Sequence, residues 1–484
     1  MPPILTYPGV YIVEKPSGVH TITGVATSIT AFVGYTATGR DNLARQVFSF
    51  ADFERLFGGL APDSELSYAV QQFFANGGSN AYVVRVPRHG ASPAGTLLGS
   101  GNATALQVNA LTSGDGGVGI LVDVDYAGVP ASDAQAFNLT VTDPAGNTET
   151  FPGVTTDSNK TNYVLNVVND EDNGSRLVRV ALPQGATGRP PQTGTVGGGL
   201  TFTDGKLQGL DPTKAYALKM TITIPAVPAA GNTPATPAKT VAVNVPLFDV
   251  GDNAPGSVAG FCGLLERKAN LALAAKLPGA GVRCVPGNTG GIRVIASVPK
   301  WPDATVTFAA PDAPPAASGG AAPAAPSDAA ALLALNNATV NVAQFAVGNA
   351  RQGNLPGSNG SGLPQTGDLI GDPAKFTGIY ALDKVDLFNI LCIPDATRAA
   401  TADPKTLDSV DPNSVFTAAM DYCKSRRAFL LVDPPPSVAD VSSAVDWKTA
   451  GLKVHDTNGA AYFPRLRLPD PLNGFQLRTF APAA

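Results

Sequence analysis

The sequence predicts a mixed α+β and α/β multidomain protein, a discontinuous α/β core domain with β-rich inserted outer domains. Three observations predict it. Apolar patterns of helical and of strand period occur together at 21–88 and again at 376–484. Between them, short strand-like runs alternate with turn signals, the pattern of a small sandwich or barrel. Gly 52 and Pro 42 also exceed the usage of a helical enzyme and favour turns and β-structure. The expected division is an extended arm at 1–20, a core of 21–88 plus 376–484, a β-sandwich-like insertion at 89–200 and a loop-rich insertion at 201–375.

The arm contains Tyr7, Pro8, Gly9, Val10, Tyr11, Ile12 and Val13. Its strand-like run is apolar on both faces, so it needs a sheet to join. It reads either as an edge strand of this chain's own sheet or as a strand donated to a neighbouring subunit. In 21–88, Ile29–Tyr35 reads as a buried strand. Ser49 caps a helix over Phe50–Phe57 that Gly58 stops. A second helix opens at Ser64 with Leu66, Ala69, Val70, Phe73 and Phe74 on one stripe, and Gly77-Gly78 ends it. Asn80–Val86 is the next strand.

In the middle, Gly119–Val124, Phe137–Thr142, Leu218–Ile224 and Thr240–Val245 read as strands and Tyr163–Val168 as a short helix. The Ala/Pro/Gly tract at 309–331 reads as a flexible linker or exposed loop. In 376–484 the order is βαβαβ. Leu387–Ile393 is a continuous apolar strand, and Asn413 or Ser414 caps a helix with Phe416, Ala419, Met420 and Cys423 facing inward. Ala428–Val432 is the next strand, Ser437 and Asp440 open a helix toward Trp447, and Ala460–Phe463 is the third strand.

Composition excludes several function classes. With 15% charged residues and a net charge of −5, the chain lacks the basic face that phosphate binding needs. No apolar run reaches the roughly 18 residues of a spanning helix, and the first residues lack a signal-peptide pattern. Cys262, Cys284, Cys392 and Cys423 are scattered without metal spacing and read as buried free thiols in a chain that folds in a reducing cytoplasm. The three histidines form no metal or catalytic motif. One catalytic arrangement is conceivable. Asp395 and Asp433 each follow a parallel strand, where open α/β sheets bind ligands, and could hold a metal or share acid–base work. Asp is equally a normal turn residue there. Lys424, Arg426, Arg427, Arg465, Arg467 and Arg478 gather in the C-terminal half, as a solvated face or as contacts to an acidic partner.

The blocks Tyr7–Glu14, Ser28–Gly34, Phe50–Gly58, Leu66–Gly78 and Ala81–Val86 resemble the start of contractile tail sheath proteins, and Asp386–Pro394, Tyr422–Asp433 and Ala461–Arg465 resemble a later part of that family. The resemblance implies a non-enzymatic, cofactor-free subunit that polymerises as stacked rings around an inner tube. Contraction would drive the tube through a target envelope. Its implied partners are further copies of itself, the inner tube protein, and baseplate and terminal cap proteins. Neither nucleic acid nor membrane insertion is implied. Assembly would occur in the bacterial cytoplasm, within a phage tail or injection particle. On this reading the arm exchanges between subunits, the α/β domain faces the tube, and Lys424, Arg426, Arg427, Arg465 and Arg467 make tube or inter-subunit contacts. Family members continue past a segment like Phe475–Ala484 into further strands, a helix and a C-terminal arm, so the core domain is expected to be C-terminally incomplete. A self-assembling β-rich adhesin or surface module is the competing structural reading.

Overall fold

The computed structural model describes residues 28–100, 103–130, 132–171, 173–186, 188–227, 229, 234–313, 325–349, 357–360, 362–397 and 410–481. The expected arm at 1–20, with Tyr7–Val13, lies outside the described residues, as do residues 314–324 of the Ala/Pro/Gly tract.

The chain first forms strand β1 (Thr30–Gly34), strand β2 (Ala44–Val47), helix α1 (Phe50–Phe57), helix α2 (Glu65–Ala75) and strand β3 (Ala81–Arg85). Local chemistry sets both helices. Ser49 Oγ accepts from the Asp52 amide at 3.1 Å, and α1 stops at Gly58, whose φ of 82° suits glycine. Ser64 Oγ accepts from the Ser67 amide at 3.0 Å to start α2. Leu66, Ala69 and Val70 then turn inward with the half-buried Phe73 and Phe74 beside them, as the spacing predicts.

Next come β4 (Pro93–Ser100), β5 (Ala103–Ser113), β6 (Leu121–Asp125), β7 (Ala136–Thr142), β8 (Thr148–Thr155), α3 (Val164–Val168) and β9 (Val178–Ala181). β4, β5 and β9 form one antiparallel sheet and β6, β7 and β8 belong to another. Alternate residues from both, including Leu106, Val108, Val122, Leu139 and Val180, close over one core.

A second β-rich lobe follows. It contains β10 (Thr195–Val196), the small hairpin β11 (Phe202–Thr203) and β12 (Lys206–Leu207), β13 (Tyr216–Ile224), β14 (Lys239–Phe248), α4 (Val258–Ala274), β15 (Gly281–Pro286), β16 (Ile292–Ser297), β17 (Thr305–Ala309), β18 (Ser327–Asp328), α5 (Ala329–Leu332), β19 (Thr339–Val340) and β20 (Phe345–Ala346). The 17-residue α4 was not expected from the sequence. Ser257 caps it, and Phe261, Leu265, Ala269 and Leu273 repeat every fourth residue to seal the lobe's core. β20 crosses back to pair with β6, Phe345 opposite Val122, so the two lobes share a sheet. A buried arginine reinforces the junction. Arg293 bonds Asp123 at 2.6 Å, the Thr193 carbonyl at 2.7 Å and the Val124 carbonyl at 3.2 Å.

The chain then returns with α6 (Thr366–Ile370), β21 (Ile390–Cys392), α7 (Pro412–Arg426), β22 (Phe429–Val432), α8 (Val441–Asp446), β23 (Gly459–Ala461), β24 (Leu466–Asp470) and β25 (Gln476–Phe480). Two sequence expectations need correction. α7 is capped by Asp411, not by Asn413 or Ser414. Pro412 occupies the first helical position, where no donor is needed, and Asp411 accepts from the Asn413 amide at 3.1 Å. The strand expected over Leu387–Ile393 is three residues long, because only Ile390–Cys392 lie between β1 and β22.

Both ends of the described chain build one sheet in the order β2-β3-β1-β21-β22-β23, parallel except for β2. Thr30 stands opposite Ala81 on one side and Ile390 on the other. β1 is buried on both faces, as a central parallel strand should be. Phe32, Val83 and Cys392 meet α1 and α2. Ala31, Val33, Val84 and Leu391 meet Phe416, Ala419, Met420 and Cys423 of α7 on the opposite face. Arg85, at the end of β3, is buried and ion-paired with Asp41. It donates to the carbonyls of Thr36 and Ser113, which joins the core sheet to the first lobe.

Candidate functional site

At the C-terminal edge of the core sheet, buried polar groups converge on the first turn of α2. The parallel order of the sheet brings the ends of β1, β21 and β22 to this edge, and the hairpin β24–β25 closes over it. Asp395 follows β21 and is fully buried. Its carboxylate accepts from the Tyr35 amide at 2.7 Å and from the Glu65 amide at 3.3 Å. Gly34 makes this approach possible, since a Cβ there would lie 2.0 Å from Asp395 Oδ2. Asp395 therefore fastens the end of β1 to the start of α2. Asp433 follows β22 and is equally buried. With burial as the larger cause, it helps push the Cys392 thiol well above its ordinary pKa.

Glu65, also buried, occupies the first position of α2, where the helix dipole favours a carboxylate. Its Oε2 meets Arg465 Nη2 at 3.3 Å and accepts from the Ala481 amide at 3.2 Å. Arg478 lies 3.8 Å from Oε1 and 3.6 Å from Asp470. Tyr68, one turn along α2, donates to Asp470 at 2.8 Å and stacks on Phe480 with ring centroids 4.3 Å apart. Burial and the Asp470 hydrogen bond raise the Tyr68 pKa. Asp470 also caps the hairpin turn by accepting from the Leu472 amide at 2.9 Å. Glu65, Tyr68, Arg465, Asp470 and Arg478 thus clamp the hairpin to α2.

The turn end of the hairpin carries exposed apolar side chains. Leu466, Leu472, Phe475 and Leu477 project from the hairpin, with Phe475 70% exposed. Tyr462, Phe463, Val441 and Val445 are exposed nearby in sequence. The hairpin thus combines a buried ionic anchor with exposed leucine and phenylalanine side chains at its turn.

The expected basic contacts fall into two groups. Arg465 is buried in the clamp, and Arg426 is spent internally on the Leu382 and Val385 carbonyls and over the Phe388 ring. Both find partners inside the fold, Arg465 buried and Arg426 partly exposed. Lys424 is exposed but bound to Asp456 at 2.6 Å, which raises its pKa. Arg427, in left-handed conformation at the end of α7, and Arg467, on β24, are exposed. The sequence reading missed Glu65, Tyr68 and Asp470. A Glu directly after a capping serine and within an apolar helix start was the available signal, since such a carboxylate is buried only with a cation. The alternation Leu466–Asp470 and Phe475–Phe480 around a Pro-Leu-Asn-Gly turn was the signal for the hairpin.

As for a metal centre, among the described residues no three His, Cys, Asp or Glu side chains form a group that could hold an ion. All four cysteines are free and buried. Among the described residues no helix is long and apolar enough to cross a membrane.

No family model matches the chain, and no curated protein matches it. Parts of the chain are similar to solved structures. One is a sheath tail protein from Listeria innocua, with 15% identity and a TM-score of 0.23 over 35% of this chain and 33% of that one. Another is a sheath tail protein from Desulfitobacterium hafniense, with 13% identity and a TM-score of 0.22 over 38% of this chain and 37% of that one. The chain thus spans little more than a third of the length of either.

Proposed function

We propose that this chain is a structural sheath subunit of a contractile tail or injection machine. The observation that carries the reading is the cluster of exposed Leu472, Phe475 and Leu477 at the turn end of the β24–β25 hairpin, which a buried ionic clamp holds in place. A monomer gains nothing from ordering exposed Phe475 and Leu477, whereas an assembling subunit buries them against its neighbour. The sequence blocks that resemble tail sheath proteins support the same reading, and most of them fall in the core sheet and its helices. Rings of such subunits would stack around an inner tube, with the two β-rich lobes as outward insertions. The arm with Tyr7–Val13 would link neighbouring subunits, and Arg427 and Arg467 are the basic side chains free to meet an acidic tube. Baseplate and cap proteins would bind the ends of the stack, and assembly would take place in the bacterial cytoplasm.

Negative-stain electron microscopy of the purified chain, alone and with its inner tube protein, tests this. Hollow tubes with a regular ring repeat are expected, and Phe475→Asp with Leu477→Asp should abolish them while leaving the circular dichroism spectrum unchanged. Monomers under both conditions, or normal tubes from the double variant, would refute the assignment of this face.

A further inference from the structure

Arg40 lies between β1 and β2 and is only 9% exposed. Among the described residues no group accepts a hydrogen bond from its guanidinium, and its Nη1 is buried without a partner. A buried donor left unmatched is costly, and more so on a charged group. The other buried arginines among the described residues, Arg85, Arg293 and Arg465, each donate to two or more acceptors. Arg40 is the exception.

The charges at this junction of core sheet and first lobe are unbalanced in the same sense. Arg45 on β2, Arg179 on β9 and Lys384 ahead of β21 all turn to one residue, Glu171, in the loop between α3 and β9. Arg45 donates to the Glu171 carbonyl at 3.3 Å, while Arg179 and Lys384 approach its Oε1 at 3.8 and 3.4 Å. Burial lowers the Arg40 pKa, Arg179 and Arg45 lower it further, and Glu171 opposes them. Among the described residues four cations thus share one carboxylate, a local excess of three positive charges in a chain of net charge −5. That carboxylate is 51% exposed and its contacts are long.

We propose that this junction binds a multivalent oxyanion of the phosphate class, with Arg40 as its buried anchor. Nη1 lacks an acceptor oxygen, which a cation cannot supply. A single carboxylate leaves two of the three excess charges unanswered, whereas phosphate or diphosphate oxygens answer them and accept from several N–H groups at once. The anion enters by displacing the Glu171 carboxylate, whose exposed pairs hold it weakly. Arg45 and Arg179 then offer planar guanidinium donors and Lys384 a point charge. None of these residues belongs to the clamp or the hairpin, so the site stands or falls independently of the sheath reading.

Isothermal titration calorimetry of the full chain with inorganic phosphate and with pyrophosphate, at an ionic strength held constant by sodium chloride, tests this. Both should bind saturably, pyrophosphate more tightly. Arg40→Met keeps the buried stem and removes the charge, and should raise Kd about tenfold or more. Without anion its denaturant midpoint should equal or exceed the parent's, since the charge removed had no buried partner, and a loss of binding then cannot come from misfolding. Glu171→Gln removes the competing carboxylate and should lower Kd about threefold. The proposal is overturned if neither anion binds saturably, if acetate binds as tightly as pyrophosphate, if Arg40→Met binds as the parent does or is less stable than the parent without anion, or if Glu171→Gln weakens binding.

Discussion

Replacing Glu65 with glutamine keeps the shape of the side chain and one carbonyl oxygen but removes its charge. The acceptor for the Ala481 amide survives. The charge facing Arg465 does not, and that guanidinium, only 4% exposed against 3% for Glu65, is left with the neutral Pro434 carbonyl and Thr397. Breaking a buried pair by removing one charge costs about 3–5 kcal/mol. Arg478 adds little, because its side chain is 27% exposed, its closest approach to Glu65 is 3.8 Å and it retains Asp470. A net loss of about 3 kcal/mol raises the open population of the β24–β25 hairpin about a hundredfold. The lobes fold on cores of their own, so a global melting curve would dilute the effect. Hydrogen exchange resolved to residues 466–480 isolates it, with protection there falling about a hundredfold while β5–β9 and α4 stay unchanged. The double variant Glu65→Leu, Arg465→Leu should recover part of the loss, since no buried charge is then left alone. Unchanged exchange over 466–480 in Glu65→Gln, or a double variant as open as the single, would refute the clamp.

Two further outcomes follow from the packing. Gly34→Ala should destabilise the core sheet, because its Cβ would lie 2.0 Å from Asp395 Oδ2 and 3.2 Å from Leu66, and both are buried. A drop of about 3 kcal/mol or more is expected from denaturant unfolding of the core, whereas Gly77→Ala, with open space around it, should show only the smaller effect of its positive φ. The four thiols should resist Ellman's reagent in the native protein and react fully in guanidinium. Burial pushes Cys262 up to about 11 and Cys423 up to about 12. The folded state therefore keeps protons that the unfolded chain releases above about pH 8.5. This stabilisation is complete below that pH and is lost as pH rises toward 11 and 12, so unfolding midpoints should fall across that window and fall less in Cys262→Ala, Cys423→Ala.

Much of the core could be read from local pattern. The stripe Leu66-Ala69-Val70, the Ser49 and Ser64 caps and the Gly58 stop are short-range signals, and α1, α2, β3, α7 and β22 lie where those signals put them to within about two residues. α4 went unread although its signals are local. Its caps and its i, i+4 stripe of Phe261, Leu265, Ala269 and Leu273 were the distinguishing features. The site was less legible. Whether an arginine faces solvent or a buried carboxylate depends on contacts between residues hundreds of positions apart, as with Glu65 and Arg465. Arg426 and Arg465 therefore read like Arg427 and Arg467 in sequence, although the first two are engaged by internal partners and the latter two are exposed.

The core sheet places β1 beside β21, about 360 residues later in the chain. During synthesis at about 5–20 residues per second, β1 waits roughly 20–70 s for that neighbour. Both of its faces and one of its edges are then uncovered, apart from what β3, α1 and α2 can hide. The two β-rich lobes, whose strands all precede β21, can complete their pairing meanwhile. The nascent chain is therefore a pair of finished domains tethered to an adhesive half-sheet, and it is in this interval that a holding chaperone has something to protect. Ribosome-bound chains halted near residue 380 should be cleaved by protease within 28–86 but not within the lobes, whereas chains extended past β22 should resist in both.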